Sequence, residues 1–210
     1  MIRRYGTGSA AACLRAVREA RRGGATLVFM HQDDNVYVPL AGKLLGHAVT
    51  AFERKQDLLA VRLTCYPILD STVSSAQGNR TFLEQRGDEI RFDVVTLRAE
   101  RFEDFTLWWS PFGPDSNRGT FWPIIMWQVV YRAEFLEQLL SAPEVGHCRH
   151  LSGIEAWYRD RINYTTYCKK IRGSFGFINM QFAGFEMHQA DTVREGLWQE
   201  ILVRPNVEVR

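Results

Sequence analysis

Residues 25–39, ATLVFMHQDDNVYVP, constrain the fold more than any other stretch of this chain. The breaker pair Gly23 and Gly24 ends whatever precedes them, and an apolar run of strand length, Leu27 to Met30, passes straight into His31, Gln32, Asp33, Asp34 and Asn35. A strand here delivers carboxylates to its own C-terminal edge, which is where ligands bind in an open α/β sheet. Two neighbouring acids in that place suit a hard cation, because Mg²⁺ and Mn²⁺ take oxygen ligands and commonly share them between carboxylates and a substrate's phosphates. The competing reading is a solvated turn, Asp33 to Asn35, that caps a helix starting near Pro39. Residue type and spacing leave both open.

On either side the pattern is helical. Ser9 to Arg22 places Ala10, Cys13, Leu14 and Val17 at three-and-four spacing, with Arg21 and Arg22 at the end that favours cations. The turn Gly6-Thr7-Gly8-Ser9 before it reads as a helix cap and, more weakly, as a phosphate cradle. Val38 to Lys55 repeats the pattern with Leu40, Leu44, Leu45, Val49 and Phe52, and Leu58 to Leu63 reads as the next strand. Helix, strand, helix, strand is the opening of an α/β arrangement with a mostly parallel central sheet flanked by helices. From Thr64 to Gly119 the pattern changes: Ile90, Phe92 and Val94 alternate with polar neighbours, which suggests an antiparallel insertion.

Composition bounds the partners. With 210 residues, 46% hydrophobic and 24% charged, the chain fits a single domain spanning 1–210 with a sizeable core. The net charge of +2 and the scattered basic residues give no footprint for nucleic acid. Cys13, Cys65, Cys148 and Cys168 lie far apart, which favours neither a disulfide framework nor a zinc ribbon and fits a reducing, cytoplasmic setting. The apolar run Phe121 to Tyr131 is interrupted by Pro123 and Gln128 and falls short of the roughly 20 residues a spanning helix needs. The N-terminus lacks the apolar stretch of a signal peptide. The expectation is a soluble protein free to touch a membrane surface.

The remaining candidates come later in the chain. An aromatic loop from Trp108 to Pro123 includes Trp109 and Trp122, whose faces can stack on sugar rings while nearby Asp and Asn read hydroxyls; core packing explains any one of these tryptophans equally well. Arg132 to Leu140 looks helical. His147, Cys148 and His150 cluster without a second ligand pair and read as a turn. Ser152 reads as the N-cap of a helix carrying Glu155, Trp157 and Tyr158; Glu155 is then either a capping-box acid or a general base at a helix N-terminus, and the two roles are compatible. Two strand-like segments, 164–171 and 175–182, precede Glu186, Met187 and His188, and a closing helix is expected over 191–201.

In order, a strand ending in Gln32-Asp33-Asp34, a strand LLAVRL, an aromatic Gly-containing loop, a Y-R-x-x-F-L helix, an S-G-I-E-A-W-Y-R-D-R helix and a late F-E-M-H resemble the GT-A glycosyltransferases. The nearest likeness is to the large inverting family that uses nucleotide-diphosphate sugars. The resemblance implies a divalent cation, Mn²⁺ or Mg²⁺, held by Asp34 with Asp33 and a loosely matching His188. It implies donor contacts from Gln32, Asp33 and Asp34, with Asp33 toward the ribose. It gives Glu155 the role of acceptor-activating base, although the family commonly has a second acid where this chain has Ala156. Trp109, Trp122 and Trp157 are the expected acceptor contacts, the acceptor being a carbohydrate or a lipid-linked one.

One departure concerns the front of the domain. The family's first strands normally lie well upstream of the acid motif, whereas 32 residues precede Asp33 here. The likeness therefore implies an N-terminally shortened nucleotide-binding half, lacking one or two βα units of roughly 30 residues each, and poor nucleotide affinity for this chain alone. Against the transferase stand a non-catalytic carbohydrate-binding or assembly module derived from a glycosyltransferase and, third, a metal-dependent phosphoesterase.

Overall fold

The structure, a computed structural model, describes residues 10–30, 36–37, 41–64, 83–92, 95–112, 124, 126, 129–160, 170–179 and 187–188. The expected segments 164–169 and 191–201, the turn 6–9 and Trp122 lie outside these residues.

The first helix, α1 (Ala10–Arg22), buries Ala10 and Val17 and packs Cys13 and Leu14 against the same core. Its end is closed by backbone bonds from Gly23 to Glu19 (3.0 Å) and from Ala25 to Ala20 (3.0 Å), with Gly24 at φ 86°, a left-handed conformation that glycine adopts without a Cβ clash. Strand β1 (Leu27–Met30) follows, then the two-residue β2 (Val36–Tyr37), α2 (Ala41–Arg54) and β3 (Leu58–Thr64). A meander comes next: β4 (Leu83–Arg86), β5 (Glu89–Phe92), β6 (Val95–Arg101) and β7 (Thr106–Phe112). The chain continues with β8 (Val129–Arg132), α3 (Ala133–Leu140), a 3-10 turn at Val145–His147, α4 (Leu151–Arg159), β9 (Gly173–Asn179) and β10 (Met187–His188).

Eight of these strands form one sheet in the order β1-β8-β3-β9-β7-β6-β5-β4, and β10 pairs with β2 in a separate ribbon. The α/β class is as expected, but the sheet is mixed rather than mostly parallel. Only β3 and β9 are parallel neighbours among the described strands; β8 runs antiparallel to both β1 and β3 and separates them. The three strands β1, β3 and β9 still point the same way, because each is related to the next by one parallel or two antiparallel steps. The antiparallel insertion is present as the β4–β7 meander, whose last strand pairs with β9. Of the alternating residues, Ile90 and Phe92 belong to β5, which pairs antiparallel with β6, and Val94 lies outside the described residues; Trp108 to Phe112, expected in the aromatic loop, belong to β7.

Helices cover both faces. On one, α2 buries Leu44, Ala48, Ala51 and Phe52 against Leu58, Val61, Leu63, Leu107, Val130 and Ile178. On the other, α1, α3 and α4 share a core with Ala60, Met126, Val129, Tyr131 and Phe175. The alternation Val129, Val130, Tyr131 between the two cores is the period of two that a strand buried on both faces must show. In β3 a register shift between Leu58 and Ala60 lets Leu59 and Ala60 face the same core. Between α1 and α3, Glu137 accepts from Arg18 Nε at 2.9 Å and pairs also with Arg21. These guanidinium groups hold the Glu137 carboxyl below its ordinary range.

Arg132, the last residue of β8, ties the sheet to the turn between α2 and β3. Its Nε donates to Leu58 O at 2.7 Å, and Nη2 donates to Gln56 O at 3.0 Å and Phe52 O at 3.2 Å. Lysine cannot reproduce this planar fork. Arg132→Met is expected to lower stability by about 3 kcal/mol in urea unfolding, since it removes charge-assisted hydrogen bonds and leaves part-buried carbonyls without their donor. Arg132→Lys is expected to recover only part of the loss. Gly173→Ala should destabilise by a different route, because a Cβ there would lie 2.5 Å from Leu59 Cγ and 2.7 Å from Asp57 O.

Candidate functional site

The site is set by where the strands end. Met30 and Val129 are partners at one end of the β1–β8 pair, and Thr64 and Asn179 are partners at the corresponding end of β3 and β9. The C-terminal ends of β1, β3 and β9 therefore lie along one sheet edge, and Met30, the last residue of β1, precedes His31, Gln32, Asp33 and Asp34 in the sequence. His31, Gln32, Asp33 and Asp34 lie outside the described residues.

Two long-range contacts position the later candidates. Glu155 Oε1 accepts the backbone N–H of Met126 at 2.6 Å. Met126 is fully buried and lies three residues before Val129, so the bond fixes the carboxylate of α4 beside the approach to β8. The second contact is the ribbon, in which His188 pairs with Val36 and Met187 with Tyr37. The backbone of His188 thus lies across from a residue two positions beyond Asp34.

The N-cap of α4 is His150, in extended conformation and without a side-chain cap bond. This corrects the expectation for Ser152, which is the second residue of the helix. Glu155 is then one turn into α4 and is not a capping-box acid. Its structural bond runs to Met126, a partner that local spacing in the sequence does not reveal.

The tryptophans separate. Trp109 packs in the core under α2, on the face of the sheet opposite α4, with Lys55 Nζ 3.5 Å from its ring centroid. It does not join Glu155. Lys55 also pairs with Asp57 Oδ1 at 3.0 Å, at the start of β3 and so at the far edge of the sheet. Trp157 is on α4, half-buried against the α1–α3–α4 core and edge-to-face with Tyr158 at 4.7 Å. Two residues along a helix is a rotation of about 200°, so it leaves α4 on the side away from Glu155.

Arg62 was not among the residues singled out by motif. Val61 and Leu63 face α2, so Arg62 between them extends from the face that carries Ala60, Met126 and Ile154, two residues from the end of β3. A guanidinium there is the only charged side chain of LLAVRLT, and a charge inside an apolar strand is the signal that marks it.

No protein family, no curated protein and no solved structure matches this chain. Its chemistry has to be read from its own residues. Among the described residues, no helix is long and apolar enough to cross a membrane, and no three His, Cys, Asp or Glu side chains gather where a metal could be held. The candidate cation ligands Asp33 and Asp34 are not among those residues.

Glu155→Ala is expected to cost about 1–3 kcal/mol in urea unfolding, because the buried Met126 N–H loses its acceptor. Glu155→Gln keeps a carbonyl oxygen for that N–H and is expected to lose less than half as much.

Proposed function

We propose that the chain is a divalent-metal-dependent glycosyltransferase that moves a sugar from a nucleotide-diphosphate donor to an acceptor hydroxyl with inversion. The observation that supports this reading is that β1, which leads into Gln32-Asp33-Asp34, and β8, whose approach carries Met126 bonded to the Glu155 carboxylate, are paired at one end, while the His188 strand pairs with Val36 in a separate ribbon.

Asp34, with Asp33 and His188, would hold the cation. Two carboxylates and an imidazole form a donor set that Mn²⁺ accepts readily and Mg²⁺ accepts through its oxygen members. The β2–β10 pairing fits such a set, since it draws the histidine's backbone toward the acids' own flank. A bound ion would offset the charge that builds on the departing diphosphate. Asp33 and Gln32 would orient the donor's ribose, and Arg62 would add positive charge from the α4 side of the sheet.

Glu155 has the protein's own part in the reaction. Its carboxylate takes the proton of the acceptor hydroxyl as that oxygen bonds to the anomeric carbon. The bond from that carbon to the diphosphate oxygen breaks, and its electron pair leaves with the nucleotide. The Met126 N–H fixes the carboxylate's orientation, which general-base catalysis requires. Attack from the face opposite the leaving group inverts the anomeric configuration.

The same Glu155–Met126 bond also favours a second reading, a carbohydrate-binding module without transfer activity, in which Glu155 only braces the approach to β8. Thermal-shift titration with UDP, GDP and dTDP, with and without Mn²⁺, tests the donor site, because a ligand that binds only the folded chain raises its apparent stability. A Mn²⁺-dependent shift with one nucleotide is expected, and Asp34→Ala should abolish it; a shift that survives in Asp34→Ala removes the acid motif from the site. Glu155→Gln should keep the shift and lose about 100-fold or more in transfer rate. Full activity in that variant would reduce Glu155 to its structural bond.

A further inference from the structure

The buried stripe of α2 contains a histidine. His47 lies beside Leu44, Ala48 and Ala51 and is only 7% exposed. Its ring stacks on Phe105 with centroids 4.5 Å apart and planes 13° apart, and Phe105 in turn stacks on Phe102 at 4.4 Å. Those phenylalanines bracket the turn between β6 and β7, which is closed by the Phe102 N–H donating to Phe105 O at 2.8 Å. His47 is therefore the surface of α2 on which this turn rests.

Both ring nitrogens of His47 are buried and have no hydrogen-bond partner among the described residues. A neutral imidazole stacked between apolar groups can be kept in that state, but an imidazolium cannot be buried without a partner except at far greater cost. The charged groups acting on it are Lys43, one turn earlier on α2, which opposes a second positive charge, and Asp104 in the β6–β7 turn, which favours one. Burial and Lys43 outweigh Asp104 and hold the imidazole's pKa below its ordinary 6.5.

We propose that His47 is a proton-operated latch between α2 and the β6–β7 turn: neutral, it holds the turn by stacking on Phe105; protonated, it moves to water and the turn is released. The sign follows from which form takes up the proton. The closed form disfavours it, whereas the open form binds it at the ordinary value, so the latch is fully effective above pH 6.5 and weakens as pH falls below it. One unit below that value, opening is favoured about tenfold if the closed form stays neutral. β7 remains paired with β9 along its length, so release is confined to the turn and its contact with α2. The proposal stands independently of the transferase reading.

Two measurements on the full chain decide it. The His47 ring, followed by NMR in the wild-type protein, should titrate with a midpoint below 6.5; a midpoint at or above that value overturns the latch. Amide exchange at Phe102, corrected for the intrinsic pH dependence, should rise about fivefold between pH of about 6.5 and about 5.5, while Ala99, bonded to Asp88 O at 2.8 Å, should change much less. His47→Phe keeps an aromatic stack and cannot titrate, so the rise at Phe102 should vanish. An equal rise in His47→Phe would assign it to another group; if that variant does not fold, exchange at Phe102 in the wild-type protein must rise as the His47 ring titrates, and a ring that titrates without that rise overturns the latch.

Discussion

The wedging of β8 between β1 and β3 is the constraint on which the rest of the structure depends. A strand that runs against both neighbours turns their two C-terminal ends into flanks of its own starting point, so the segment entering β8 has to arrive at the edge where β1 releases its acidic continuation. At the other end of β8, Arg132 binds the carbonyls of Phe52, Gln56 and Leu58, while Ala133 N–H donates to Thr26 O at 2.9 Å. One end of the strand is thus fastened by hydrogen bonds and the other is left to meet Glu155.

This arrangement lets α4 hold a carboxylate beside the approach to β8 while packing as an ordinary core helix. Ile154 and Tyr158 bury on the same side as Met126, and Tyr158 donates to Leu139 O, which joins α4 to α3. Glu155 is placed by those contacts, not by a cap of its own helix. A carboxylate that accepts a buried backbone N–H from a helix packed in this way is held with little freedom.

Much of the local structure was legible in the sequence. The apolar stripe of α1, the Gly23-Gly24 stop, Leu27–Met30, the α2 helix and the LLAVRL strand follow from periodicity and breakers and occur close to their expected bounds, but of the stripe expected on α2 Val49 is 42% exposed and the buried face includes His47, Ala48 and Ala51 instead. Strand direction was not legible. Nothing local distinguishes β8 as antiparallel, because VVYR is buried on both faces and shows no alternation of polar and apolar residues. Trp108 and Trp109 looked like loop residues because Pro111 and Gly113 sit nearby, yet Leu107 to Phe112 pair in register with β9. The Glu155–Met126 bond and the β2–β10 ribbon join residues far apart in the chain, and such contacts leave no mark in spacing.

The position of β9 has a consequence for how the chain folds. β1, β8 and β3 form one part of the sheet and the β4–β7 meander the other, and β9 alone lies between them in the strand order. The meander consists of near-neighbour pairings that form quickly, whereas β3 must wait for a strand that comes after α4. During synthesis both parts expose an open strand edge until residues 173–179 emerge, and their joining is a late, cooperative event. Gly173 and Gly176, which admit Leu59 and Leu107 so closely that a Cβ would collide with either, keep β9 thin enough to enter a gap whose two sides are already built.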